Sequence, residues 1–186
     1  MSSPPHVFSK KNIYIWIAVT LLIAAAILMI ANAENWFSFK KNQLPTLSIQ
    51  DVYGRQITSA DLQNKPVIIE FWATSCVTCI REMPSMIQLH RDFSDKGLRI
   101  ISIAMQYDKP SNVLEFTQHN QLPMSVVYDH SGQLAKTIPQ SLGLSQIYGT
   151  PTVFLIDPQG ELSQQYVGNV NFNQIRKNLA QWLNPN

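Results

Sequence analysis

The chain is 186 residues long, enough for one domain with a substantial core. Its formal net charge is +2 and only 14% of its residues are charged, so there is no basic stripe on which a nucleic-acid role would rest. Hydrophobic residues at 45%, with four Trp and eight Phe, exclude a disordered chain.

Part of that hydrophobicity is concentrated near the N-terminus. Residues 13–33 contain no charged side chain, and as a helix this stretch is about 30 Å long, the thickness of a bilayer core. Lys10 and Lys11 precede it, while Tyr14, Trp16 and Trp36 sit where interfacial aromatics are placed. The expectation is a cytoplasmic tail over residues 1–12 and a transmembrane anchor over 13–33. A cleaved signal peptide is the competing reading, because Ala31-Asn32-Ala33 has the small-x-small form of a signal-peptidase site. Against it, the apolar stretch exceeds the roughly 7–15 residues of a signal peptide's core. Lys40 and Lys41 balance Lys10 and Lys11, so orientation rests on the short tail and the large C-terminal body, which favour export of the body. Residues 34–43 read as a tether, and 44–186 as the folded domain.

Within that domain, residues 47–50 and 55–58 alternate apolar and polar side chains around Asp51-Val52-Tyr53-Gly54, a hairpin pattern. Residues 59–62 read as a short helical turn. Residues 66–73 form a continuous apolar strand interrupted only by Glu70, which predicts burial on both faces. A helix is expected from Cys79 to about Ser94, bent by Pro84 and closed by Gly97. Strand 98–104, helix 111–119, strand 125–128 and helix 134–138 follow. Strand 152–156, a turn at 157–160, strand 162–167 and a terminal amphipathic helix over 172–183 complete the chain. Strands alternating with helices imply an α/β fold, with a central mixed sheet covered on both faces and preceded by the N-terminal hairpin.

Cys76 and Cys79 are the only cysteines. Two are too few for a disulfide framework and supply half of a four-ligand zinc site. His6, His90, His119 and His130 are scattered at no ligand spacing from them. A small structural disulfide or two unrelated core cysteines are the bland readings. The placement favours redox chemistry instead. A cysteine where a strand hands over to a helix meets free N–H groups and the positive end of the helix dipole. Its pKa can fall from about 8.5 to roughly 3.5–7.5 there, which makes the attacking thiolate available. Cys76 is therefore the expected nucleophile and Cys79, one turn inward, the resolving thiol.

Phe71-Trp72-Ala73-x-x-Cys76-x-x-Cys79 followed by Pro84 resembles the motif of the thioredoxin superfamily. Gly149-Thr150-Pro151-Thr152 and the apolar run after it resemble the segment carrying that family's cis-proline. The anchor, the hairpin, the insert between Lys109 and Gly149, and Glu82 are similar to the TlpA/ResA/CcmG-like branch. The resemblance covers about residues 44–183. It implies a thioredoxin-like fold, a redox-active Cys76–Cys79 disulfide and a cis Pro151 facing it, with no cofactor and no metal. It also implies an extracytoplasmic, single-pass inner-membrane protein whose domain faces the periplasm and reduces protein disulfides. A membrane electron donor of the DsbD or CcdA type would recycle it, and cytochrome c maturation is among the branch's roles.

Two acids are candidate proton acceptors for the resolving thiol. Glu70 lies where thioredoxins place a buried acid, and Glu82 where the ResA-like branch places its own. An exposed helix residue is the plain alternative for Glu82, whereas a buried, unpartnered Glu70 would be costly. Ser75 stands where the superfamily usually has Trp, and Val77-Thr78 replaces Gly-Pro, so substrate range and potential depart from thioredoxin. Ser75, Thr150 and Pro151 are expected at the substrate surface, where a peptide would dock in extended form. Trp72 is expected either there or in the core. An oxidase or isomerase of the same fold is the first alternative, because fold does not set the direction of exchange. A Sco-like copper chaperone would want CxxxC spacing, and a peroxidase a Thr-x-x-Cys context that Thr74 and Cys76 do not supply.

Overall fold

The computed structural model describes residues 10–36 and 43–183, with the side chains of 14–17 and 19–29 in the first segment. The chain divides into two units, residues 1–40 and 41–186. In the first, helix α1 spans Lys10–Trp36. It starts within the expected tail, whose residues 1–9 lie outside the described residues, and runs into the expected tether, of which 37–42 lie outside them too. Among the described residues no helix is long and apolar enough to cross a membrane. The anchor expected over 13–33 is therefore not borne out by them.

The second unit opens with strands β1 (Ser48–Gln50) and β2 (Gln56–Thr58), an antiparallel pair with Ser48 opposite Thr58. Asp51 organises the turn: its carboxylate accepts from the Tyr53 and Arg55 N–H groups, both at 2.9 Å, and pairs with the Arg55 guanidinium at 2.6 Å. Helix α2 (Ser59–Leu62) follows, and Asp61 reaches back to the Thr58 N–H at 2.8 Å. The hairpin is a sheet of its own, and the Val52 N–H donates to the Val126 carbonyl at 2.8 Å.

Strand β3 (Val67–Trp72) is buried at every position, as its apolar run predicts. It is followed by α3 (Val77–Phe93), a 3-10 turn at Ser94–Lys96, β4 (Arg99–Ala104), α4 (Pro110–His119), β5 (Ser125–Tyr128) and α5 (Leu134–Ser141). Strands β6 (Thr152–Ile156) and β7 (Leu162–Val167) and helix α6 (Phe172–Leu183) close the fold. The sheet runs β5-β4-β3-β6-β7, with β3 parallel to β4 and antiparallel to β6. This is a thioredoxin-like α/β fold with a mixed five-stranded sheet and a separate hairpin.

Boundaries differ from expectation for local reasons. Helix α3 starts at Val77 rather than Cys79, because Cys76 is its N-cap. Pro110 begins α4, a position where its missing N–H costs nothing. Helix α5 continues past Ile138 to Ser141 although Pro139 lies inside it. The carbonyl that Pro139 leaves without an intrahelical donor, that of Ala135, accepts from the Ile147 N–H at 3.1 Å. Gly97, at φ +115°, makes the left-handed turn into β4 that a β-carbon would strain.

Alternate residues of each strand point to opposite layers. Ile68, Trp72, Ile100, Val153 and Leu155 pack under α3, α4 and α6, against Met83, Leu89, Val113, Ile175 and Leu179. Val67, Ile69, Phe71, Ile101, Ile103, Phe154 and Ile156 face the other layer, with Leu47, Ile57, Leu62, Ile138 and Leu142. By this alternation Glu70, between Ile69 and Phe71, falls on the α3 side. At the end of the sheet where β3 begins, Gln43 forms a bridge with Glu161 and donates from its amide to the Gln159 carbonyl at 3.0 Å.

Candidate active site

The register of the strands decides which loops meet. Phe71 near the end of β3 lies opposite Thr152 at the start of β6, and Thr152 lies opposite Val167 at the end of β7. Trp72 and Ala104 end the parallel pair. The loops after β3, β4 and β7 and the loop before β6 therefore gather at one end of the sheet, beyond the carboxyl ends of its parallel strands.

At that end the Cys76 N–H donates to the Ala73 carbonyl at 3.1 Å, a tight turn that sets Cys76 at the head of α3. Cys76 and Cys79 form a disulfide, their α-carbons 5.2 Å apart, one helical turn. The Cys79 N–H also donates to Cys76 Sγ at 3.2 Å. Cys76 is half-buried and Cys79 fully buried, while Val77 between them is 79% exposed. A partner can therefore reach one sulfur and not the other. A first-turn N–H, that of Cys79, points at the accessible one, where it would stabilise a thiolate.

The Thr150–Pro151 peptide bond is cis. Pro151 is buried, its carbonyl accepts from the Gly168 N–H at 2.9 Å, and the Thr150 hydroxyl meets the Tyr107 hydroxyl at 3.3 Å. Ser75 is exposed beside the disulfide. Trp72, weighed for the substrate surface, is fully buried instead: its ring lies 5.2 Å from that of Phe116, and its indole nitrogen has no hydrogen-bond partner. It is the floor under the site, not part of its face.

Both candidate acids are on the α3 side. Glu70 is 1% exposed and lies opposite Ser102 in the β3–β4 ladder, whose hydroxyl donates to it at 3.0 Å. Burial pushes the Glu70 carboxyl up to about 7; the Ser102 bond opposes the rise and the charge on Glu82 adds to it. Glu82 Oε1 accepts from the Val170 N–H at 3.2 Å, and its Oε2 is buried without a partner. Glu82 is thus not a solvated surface acid. Among the described residues no cluster of three or more potential metal ligands occurs.

Four participants escaped the sequence reading: Ser102, Val170, Tyr107 and Asp108. The Asp108 carboxylate holds the Thr74 N–H and hydroxyl at 2.5 and 2.6 Å. Its only sequence signal was position, an acid just past a buried strand and two residues before Pro110. Ser102 was visible as the polar residue in the apolar run of β4.

Comparison with known proteins agrees with this geometry. The AhpC/TSA family model matches residues 41–165. The thiol-disulfide oxidoreductase ResA of Bacillus cereus is 28% identical over 182 residues, covering 94% of this chain and 96% of that protein. The ResA of Geobacillus kaustophilus is 30% identical over 135 residues, 73% of each chain. Among solved structures, a thioredoxin-family thiol:disulfide interchange protein from Chlorobium tepidum aligns with TM-score 0.69 and 26% identity, over 77% of this chain and 97% of that one.

Proposed function

The chain belongs to the AhpC/TSA family and is a thiol–disulfide oxidoreductase of the ResA type, and from that premise we propose that it is a membrane-anchored, extracytoplasmic reductase of protein disulfides. The observation that carries the reading is the asymmetry of the pair, a half-buried Cys76 at the head of α3 bonded to a fully buried Cys79.

A donor dithiol first transfers two electrons and two protons to the Cys76–Cys79 disulfide. The Cys76 thiolate then attacks one sulfur of the substrate's disulfide; that S–S bond breaks and the other substrate sulfur leaves as a thiolate, which takes up a proton. Cys79 gives its proton to a carboxylate of the α3 layer and attacks Cys76 Sγ. This re-forms the Cys76–Cys79 bond and releases the second substrate thiol. Glu70, with its carboxyl at about 7, is suited to accept and return that proton at neutral pH. Glu82, with one oxygen held by Val170 and one unpartnered, is the second candidate. The substrate strand lies in extended form beside Pro151 and Thr150, with Ser75 and Val77 flanking the reactive sulfur.

The uncharged stretch 13–33 supports the anchor, and the disulfide suits an oxidising compartment. A membrane donor of the DsbD or CcdA type would keep the pair reduced, with apocytochrome c among the candidate substrates. The test is a C79S variant in cells. The expected result is partner proteins held covalently on Cys76, together with a steadily reduced pair in the native chain. A steadily oxidised pair would instead make the protein an oxidase.

A further inference from the structure

The loop between β4 and α4 touches both halves of the active site. The Met105 N–H donates to the Trp72 carbonyl and the Asp108 N–H to the Met105 carbonyl, each at 3.0 Å, so the segment turns back beside the end of β3. The Tyr128 hydroxyl secures it from the β5 side, within 3.1 Å of the Gln106 carbonyl and 3.0 Å of the Asp108 carbonyl. Tyr107 meets Thr150 on the cis-proline side. From this support the Asp108 carboxylate, only 9% exposed, grips Thr74 through both of its oxygens and also accepts the Lys109 N–H at 3.0 Å. No salt bridge to Asp108 occurs among the described residues.

A buried carboxylate without a cation is a costly way to hold a turn that a neutral side chain can also hold. What it supplies is a pair of short, charge-assisted hydrogen bonds in a fixed geometry. Their target is the residue two before Cys76, in the turn that makes Cys76 the N-cap of α3. In the oxidised protein the Cys76–Cys79 bond itself holds Cys76 Sγ beside the Cys79 N–H. Once that bond opens, the turn is what remains to hold the sulfur there. We propose that Asp108 is a positioning residue for exchange: its grip on Thr74 keeps Cys76 Sγ at the helix terminus after the disulfide has opened. It acts through Thr74 and takes no proton in the reaction.

The test uses the full chain in its reduced form. Two quantities are read at pH 7: the second-order rate of thiolate release from a small aromatic disulfide, and the equilibrium of the pair with glutathione. D108A is expected to slow the first about tenfold and to shift the second about tenfold toward the disulfide, since only the reduced form loses a held thiolate. T74V, which removes one of the two bonds, is expected to slow the reaction about threefold. D108N is expected to recover part of the loss, because its amide oxygen can accept from the Thr74 N–H while its NH₂ donates to the Thr74 hydroxyl, although the Lys109 N–H then loses its acceptor. I138A, which destabilises the opposite layer, should leave both readings at the native value. Native readings in D108A, or equal losses in D108A and I138A, would reduce Asp108 to a structural residue. D108N as slow as D108A would assign the effect to charge rather than position. Should D108A fail to fold, T74V decides: the threefold loss supports the grip and a native rate overturns it.

Discussion

The two faces of the central sheet are built from the same strands and do different work. Toward α5 and the hairpin, β3, β4 and β6 present Val67, Ile69, Phe71, Ile101, Ile103, Phe154 and Ile156, and Phe71 meets Phe154 edge-on with ring centres 6.0 Å apart. Toward α3 the same strands present Glu70 and Ser102 among the apolar side chains, with the unpartnered indole N–H of Trp72 and the half-satisfied Glu82 close by in sequence or charge. The first face is given mainly to packing, with Thr152 its one buried polar strand residue among those described. The other gives buried positions to Glu70 and Ser102 on the α3 side. A period of two residues is enough to separate the tasks, because neighbouring side chains never share a layer.

The separation can be broken most forcefully from the packing side. F154A is expected to cost about 3–5 kcal/mol in urea unfolding, from lost burial and the cavity left behind. The exchange rate per folded molecule should stay native; a parallel fall in that rate would show that the two faces are not independent.

The next largest effect comes from the reactive side. The folded-state pKa of Glu70 is raised from 4.5 to about 7, so the native state binds the proton more tightly than the unfolded chain does. Its contribution to stability is full below the unfolded value and is lost as pH rises through about 7. E70Q should therefore be more stable than the native protein at pH 8, by about 3 kcal/mol, and this difference should shrink toward pH 4.5. The rise of the exchange rate around neutral pH should flatten in the same variant. No gain in stability at pH 8 would mean that burial does not raise the Glu70 carboxyl above its free value. W72F sharpens the comparison at the small end. It removes the unpartnered N–H along with some packing, so the net change in unfolding should stay below about 1.5 kcal/mol.

Much of this was legible in the residues. Strand β3 announced itself by an apolar run, and the alternation of that run places Glu70 in a definite layer once the helices are known. The cysteine spacing located the reactive end. Helix α3 begins earlier than expected because its N-cap is a cysteine, outside the usual Ser, Thr, Asp and Asn capping set. Helix α5 outruns Pro139 because a distant backbone N–H, that of Ile147, satisfies the carbonyl the proline frees. The geometry of Pro151 was implied by resemblance alone, since a proline before a strand carries no mark of its isomer. Asp108 was invisible because its partner Thr74 lies 34 positions away and the contact exists only once β3 and β4 are paired.

The bridge between Gln43 and Glu161 has a mechanical consequence. Glu161 follows the turn after β6, and β6 runs antiparallel to β3, so the bridge sits at the blunt pole of the domain, across the length of the sheet from the disulfide. Residue 43 therefore enters the domain at that pole, away from Cys76. A bulky fusion or a surface linkage placed there should leave access to Cys76 intact.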